Sequence, residues 1–135
     1  MINSDLGSEA LPKTILIVDD YADFARLLQG RLKAEGFEAH VALDGAGAVQ
    51  RARELKPDLV ILDIMMPDVG GTEVRVEMMK DPATRDIPVI FLTGLRAPQS
   101  HKKIPNNSMR VIGKSRDFKE LLEAIQETFN KTSKT

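Results

Sequence analysis

An α/β fold built on a doubly wound parallel sheet is predicted by two features of this sequence, and a third locates its site. Short apolar runs of strand length alternate with longer amphipathic segments along the 135 residues. The strongest runs are apolar without interruption, the pattern of strands buried on both faces by helices. Four of the five runs lead into a charged or hydroxyl side chain, and in an open parallel sheet ligands bind beyond the carboxyl ends of the strands.

The elements follow in order. Ile15-Leu16-Ile17-Val18 is β-branched and too short for a helix, so it reads as the first strand. Phe24, Leu27, Leu28 and Leu32 then fall on one helical face, and Gly36 stops that helix. Ala39 to Leu43 is a weaker strand with Val41 as its best β-former. Ala46, Val49, Ala52 and Leu55 make a second helix face, with Pro57 just past its end. Leu59-Val60-Ile61-Leu62 is the strongest central strand. Thr72 is the expected N-cap of a helix carrying Val74, Met78 and Met79. Val89-Ile90-Phe91-Leu92 is a fourth strand and Val111-Ile112 a short fifth. Phe118, Leu121, Leu122, Ile125 and Phe129 form a last helical stripe, with Asp117 placed to cap it and Glu120 at the reciprocal position.

Alternation requires a further helix between Leu95 and Asn107. That stretch contains Pro98, Pro105 and Asn106-Asn107, and proline inside a helix costs about 3 kcal/mol. A short or irregular helix, or a mobile loop, is expected there. The expected organisation is a flexible tail over 1–12, one domain over 13–131 and a short tail over 132–135.

Composition narrows the function. Hydrophobic residues make up 42% and charged residues 29%, an ordinary globular balance. The chain has no cysteine, which excludes disulfide staples, thiolate zinc sites and thiol catalysis. A net charge of −1 gives no general attraction to nucleic acid or anionic lipid. No apolar run reaches the roughly 18–20 residues that span a bilayer, and the polar, acidic start lacks the marks of a signal peptide. A cytoplasmic protein is expected, without nucleic-acid or membrane partners.

The strand ends hold complementary chemistry. The first runs into Asp19-Asp20, the third into Asp63, the fourth into Thr93, and the fifth leads to Lys114. Carboxylates gathered together raise one another's pKa unless a cation intervenes. Oxygen ligands at a partly open site suit Mg²⁺ completed by a phosphate, with Mn²⁺ as an alternative. A lysine supplies a compact positive charge, and a threonine hydroxyl can donate to a phosphoryl oxygen. Phosphoryl transfer needs mainly positioning and charge neutralisation, and a carboxylate is a competent nucleophile.

This constellation resembles the receiver domain of response regulators, the CheY-like superfamily. The resemblance rests on Ile15-Leu16-Ile17-Val18-Asp19-Asp20, on Asp63-Ile64-Met65-Met66-Pro67 with Gly71, and on Thr93 and Lys114. It covers nearly the whole chain and suggests the stand-alone type. It implies a flavodoxin-like (βα)5 fold with strand order 2-1-3-4-5. It implies Asp63 as phosphoacceptor, Mg²⁺ held by Asp19, Asp20, Asp63 and the backbone carbonyl of Met65, and Thr93 and Lys114 on the phosphoryl group. The implied partners are a histidine kinase or a histidine phosphotransfer protein and a downstream protein target. Output is expected by protein contact, from a monomer or a phosphorylation-dependent dimer, without enzymatic turnover of a separate substrate.

Some positions depart from the family pattern. Ser115 follows Lys114 where proline is usual and its bond is often cis; a non-proline cis bond costs about 2.5–4 kcal/mol. Val111 stands where the family usually has an aromatic switch residue, and Gly94 follows Thr93 where alanine is common. With the 95–107 stretch, these changes predict intact acceptor chemistry and an atypical output surface. Met65 and Leu95, each two residues past a site residue, predict slow dephosphorylation. Met65, Met66, Met78 and Met79 otherwise read as packing or loop residues, and His40 and His101 as structural or exposed ones; His101-Lys102-Lys103 reads as a solvated basic patch.

Three other readings are weaker. A dehalogenase-type phosphatase needs a second aspartate where Met65 stands. A flavodoxin-like electron carrier needs a hydroxyl- and glycine-rich first loop, whereas Asp19-Asp20-Tyr21-Ala22-Asp23 is acidic. A degenerate receiver that binds partners without phosphorylation is the alternative that Ser115 and Val111 keep open.

Overall fold

The computed structural model of the chain describes residues 12–67, 69–94, 110–114 and 118–133. Among the described residues are five strands, β1 (Thr14–Val18), β2 (Glu38–Ala42), β3 (Leu59–Asp63), β4 (Val89–Thr93) and β5 (Arg110–Gly113), with helix α1 (Ala22–Ala34) after β1, α2 (Ala48–Leu55) after β2, α3 (Gly71–Lys80) after β3 and α4 (Phe118–Ser133) after β5. The strands form one sheet in the order β2-β1-β3-β4-β5, and every neighbouring pair is parallel. This is the doubly wound, flavodoxin-like architecture expected.

Strand periodicity divides the core in two. Ile15, Ile17, Leu59, Ile61, Ile90, Leu92 and Ile112 point to one face, where Ala25, Leu28 and Leu32 of α1 and Leu121, Ala124 and Ile125 of α4 cover them. Leu16, Val18, Val60, Leu62, Val89 and Phe91 point to the other, under Ala48 and Ala52 of α2 and Val74 and Met78 of α3. Successive strand residues must face opposite ways, so an unbroken apolar run is what burial on both sides demands.

The helix faces differ from expectation in detail. Leu27 is 59% exposed and Ala25 fully buried in its place. Ala46 precedes α2 and is exposed, and Met79 is 42% exposed while Arg75 is buried. In each case the backbone turns the stripe toward a smaller or an unexpected residue. The N-cap of α3 is Gly70, not Thr72; the Gly70 N–H donates to Glu73 Oε1 at 3.1 Å. The Gly36 stop holds: its φ is +98°, and the N–H groups of Gly36 and Phe37 donate to the carbonyls of Lys33 and Leu32, the Schellman closure of a helix. Asp117, Ser115, His101 and the 95–107 stretch lie outside the described residues, as do most of the expected tails.

Candidate functional site

Parallel pairing brings the ends of β1, β3, β4 and β5 to one edge of the sheet, and the chain is pinned just beyond β1, β3 and β5. Asp19 N–H donates to Ala42 O at 3.1 Å, Ile64 N–H to Leu92 O at 2.9 Å, and Lys114 N–H to Thr93 O at 2.8 Å. β1 and β3 are adjacent, yet their chain continuations pass to opposite faces of the sheet. The crevice between them is the switch point of a doubly wound sheet.

Asp19, Asp20 and Asp63 meet there, with one carboxylate oxygen of each within 4.8 Å of the others. Asp19 and Asp63 are buried and Asp20 is exposed. The Lys114 ammonium lies 2.8 Å from Asp19 Oδ2 and 3.5 Å from Asp63 Oδ2. Tyr21 N–H donates to Asp19 Oδ1 at 2.9 Å, and Met65 N–H to Asp63 Oδ1 at 3.3 Å. Thr93, buried, ends β4 beside this group. The structure therefore draws Asp19, Asp20, Asp63 and Lys114 into contact range and sets Thr93 and Met65 on the adjoining strand end and loop. His40 is elsewhere, bonded to Glu38 on edge strand β2 at 2.8 Å.

Three carboxylates gather here, and the Lys114 ammonium meets two of them. Burial, and then the Asp19 charge, push the Asp63 carboxyl up from 3.8 to about 6, against the pull of Lys114 and the Met65 N–H. Among the described residues Asp19 Oδ2, which is buried, accepts no well-directed hydrogen bond, and the counter-charge it meets is the lysine. A buried carboxylate oxygen left in this state is costly. The donor set, all hard oxygen and partly open to solvent, fits a divalent cation of the Mg²⁺ kind.

Glycines hold the walls of the site close. A side chain at Gly71 would overlap the Asp63 carbonyl oxygen, so the start of α3 can sit against the end of β3 only with glycine there. A side chain at Gly45 would likewise overlap the Val69 carbonyl, where the loops after β2 and β3 touch. Phe24 is the further residue that pattern reading missed. Its ring lies 4.8 Å from the Lys114 ammonium, whereas its spacing marked it only as part of a core stripe. Gly45 follows Asp44 in an ordinary turn signal, and nothing in that dipeptide announces its neighbour.

Fold and cluster together define a doubly wound α/β protein with an oxygen-ligand acidic pocket at its switch point. Residues 15–126 match the family model described as response regulator receiver domain, and the chain belongs to that family, the CheY-like receiver domains of two-component signalling. It is 43% identical over 81 residues to the response regulator PleD of Caulobacter vibrioides, covering 60% of this chain but only 18% of PleD. It is 34% identical over 94 residues to the polar-differentiation response regulator DivK of Brucella anthropi, covering 70% of this chain and 76% of DivK. Among solved structures it resembles the response regulator TrrA of Thermotoga maritima in complex with Mg²⁺-BeF, at 34% identity and a TM-score of 0.76, over 86% of this chain and 98% of that one.

Among the described residues no helix is long and apolar enough to cross a membrane.

Proposed function

We propose that this receiver accepts a phosphoryl group on Asp63 from a histidine kinase or a histidine phosphotransfer protein, assisted by Mg²⁺, and signals by protein contact. The observation that carries this reading is the burial of Asp63 beside Asp19 and Asp20, with the Lys114 ammonium against Asp19 and Asp63. Asp19, Asp20, Asp63 and the Met65 backbone carbonyl would hold the metal. When bound it would neutralise carboxylate and phosphoryl charge together.

The protein's own groups divide the remaining work. An Asp63 carboxylate oxygen attacks phosphorus and forms the O–P bond of an acyl phosphate. The P–N bond of the donor phosphohistidine breaks, and the imidazole takes up a proton as it leaves. Lys114, already 3.5 Å from Asp63 Oδ2, follows the charge onto the new phosphoryl oxygens. Thr93 donates its hydroxyl to one of them. Met65, 58% exposed two residues after Asp63, lies beside the path of attacking water and favours a long-lived acyl phosphate. The reading is of a cytoplasmic phosphoacceptor without turnover of a separate substrate, active as a monomer or a phosphorylation-dependent dimer.

Intact mass after incubation with acetyl phosphate and Mg²⁺ tests it. The expected result is a gain of one phosphoryl group, about 80 Da, absent in Asp63→Asn and without metal. A folded, Mg²⁺-binding protein that stays unlabelled, with phosphoramidate as well, would instead mark a phosphorylation-independent partner-binding domain.

A further inference from the structure

We infer that Phe24 is a positioning residue for Lys114: its ring gives the ammonium a resting face that keeps it beside Asp63 when Asp19 turns to a divalent cation. The inference rests on the acceptor reading above and deepens it.

The argument begins with how the ammonium is enclosed. The Lys114 side chain is only 18% exposed. Its charge is met by Asp19 at 2.8 Å, by Asp63 at 3.5 Å and by the Phe24 ring with its centroid at 4.8 Å. The lysine therefore sits closest to Asp19, a carboxylate that would help to hold the metal. Asp19 would have to serve both the ammonium and a bound cation. An ammonium displaced from Asp19 loses its nearest counter-charge and gains a cationic neighbour. The ring face against it lowers the cost of that displacement, because a cation over an aromatic quadrupole is held without a formal charge.

Other features single out Phe24 for the role. It stands in the first turn of α1, close behind Asp20, so the helix that follows the acidic pair carries the ring to the lysine. Val111, at the family's usual aromatic position, packs instead with the core under α2 and α3. Phe24 also borders a cavity of about 320 Å³ between α1 and α4, lined further by Leu27, Leu28, Arg31, Phe118 and Leu121. Ring and ammonium are thus not locked by close packing on every side.

The test compares Phe24→Leu, which keeps apolar bulk and removes the ring, with Phe24→Tyr, which keeps the ring and has the cavity to receive its hydroxyl. In the metal-free proteins, the Lys114 Hε signals should be ring-shifted upfield in wild type and Phe24→Tyr and should lose that shift in Phe24→Leu. Mg²⁺ titration followed by the backbone amides of Asp19 and Asp63 should show a half-saturating concentration about 3–10-fold higher in Phe24→Leu. Phe24→Tyr should stay within about twofold of wild type. A purely structural role would not separate the two variants. The inference is overturned if Phe24→Leu leaves the Lys114 shift in place, if it binds Mg²⁺ like wild type, or if Phe24→Tyr binds as weakly as Phe24→Leu. Acetyl phosphate labelling of the wild type, run alongside, decides the acceptor reading separately: an unlabelled wild type sinks that reading, while the shift and the titration still judge Phe24.

Discussion

The two ends of the sheet handle polar groups in opposite ways. At the amino ends of the strands, charges and donors are matched. Thr14 N–H donates to Asp58 Oδ2 at 2.8 Å, the Arg53 guanidinium meets Asp81 at 2.6 Å, and the buried Thr84 hydroxyl donates to Met78 O at 2.8 Å. The exception is the buried Arg75, which delivers one N–H to Ile87 O at 3.1 Å while its buried Nε finds no hydrogen-bond partner among the described residues. At the carboxyl ends, three carboxylates gather, the Lys114 ammonium meets two of them, and a buried oxygen of Asp19 lacks a directed donor. Among the described residues, one end pairs its opposite charges and leaves a single guanidinium nitrogen without a partner. The other is short of positive charge, and that shortfall is what a divalent cation would make good. Functional sites commonly depart from the rules of stability that the rest of a fold obeys.

The contrast yields predictions, the largest first. Asp63→Asn should reduce acetyl phosphate labelling to the metal-free background by intact mass, while Arg53 and Thr84 substitutions at the opposite end should leave labelling at wild-type level. Gly71→Ala should damage both properties together: its Cβ would overlap the Asp63 carbonyl, and overpacking of this kind costs about 1–3 kcal/mol. Urea unfolding and labelling measured on the same sample would separate this from Asp63→Asn, which loses labelling alone.

Stability should also move in the unusual direction at the site. Folding raises the Asp63 pKa from 3.8 to about 6, so between those values the folded state holds the extra proton. Stability in the absence of metal then falls as pH rises through that window and stays lower above it. Asp63→Asn should therefore stabilise the metal-free protein at pH 7 by about 1–2 kcal/mol, and the gain should disappear below pH 3.8. Urea midpoints in EDTA at several pH values would check this, and a variant no more stable than wild type at pH 7 would contradict it. At the other end, Thr84→Val should cost about 1 kcal/mol by losing a buried hydrogen bond, with no change in labelling. Arg53→Ala is the smallest case: its pair with Asp81 lies at the surface, where such pairs contribute little, and thermal melts should superimpose on wild type.

The sheet was legible because its cause is local. Ile15 to Val18 and Leu59 to Leu62 are apolar on both alternations, and few arrangements other than burial between two helix layers satisfy that pattern. Helix faces were less legible. A 3.6-residue repeat tolerates rotation by one position, and Ala25 rather than Leu27, or Arg75 rather than Met79, faces inward because packing against the sheet selects the angle. The cap of α3 was misplaced for a similar reason. Thr72 is the better cap by residue type, but the approach of α3 to Asp63 requires glycine, and the chain turns at Gly70 and Gly71.

The sequence by itself determined the α/β alternation, the candidacy of Asp19, Asp20, Asp63, Thr93 and Lys114, and the absence of thiol chemistry, since these depend on residue type and on periods of two and 3.6. Only the tertiary structure decided the distances that give those residues meaning. Lys114 rests nearer Asp19 than Asp63, the Phe24 ring backs the ammonium, and two glycines let the loop walls close. Such facts depend on how strands far apart in sequence align in register and on how helices pivot over them. Those are set by the sum of many packing contacts and not by any one stretch of chain.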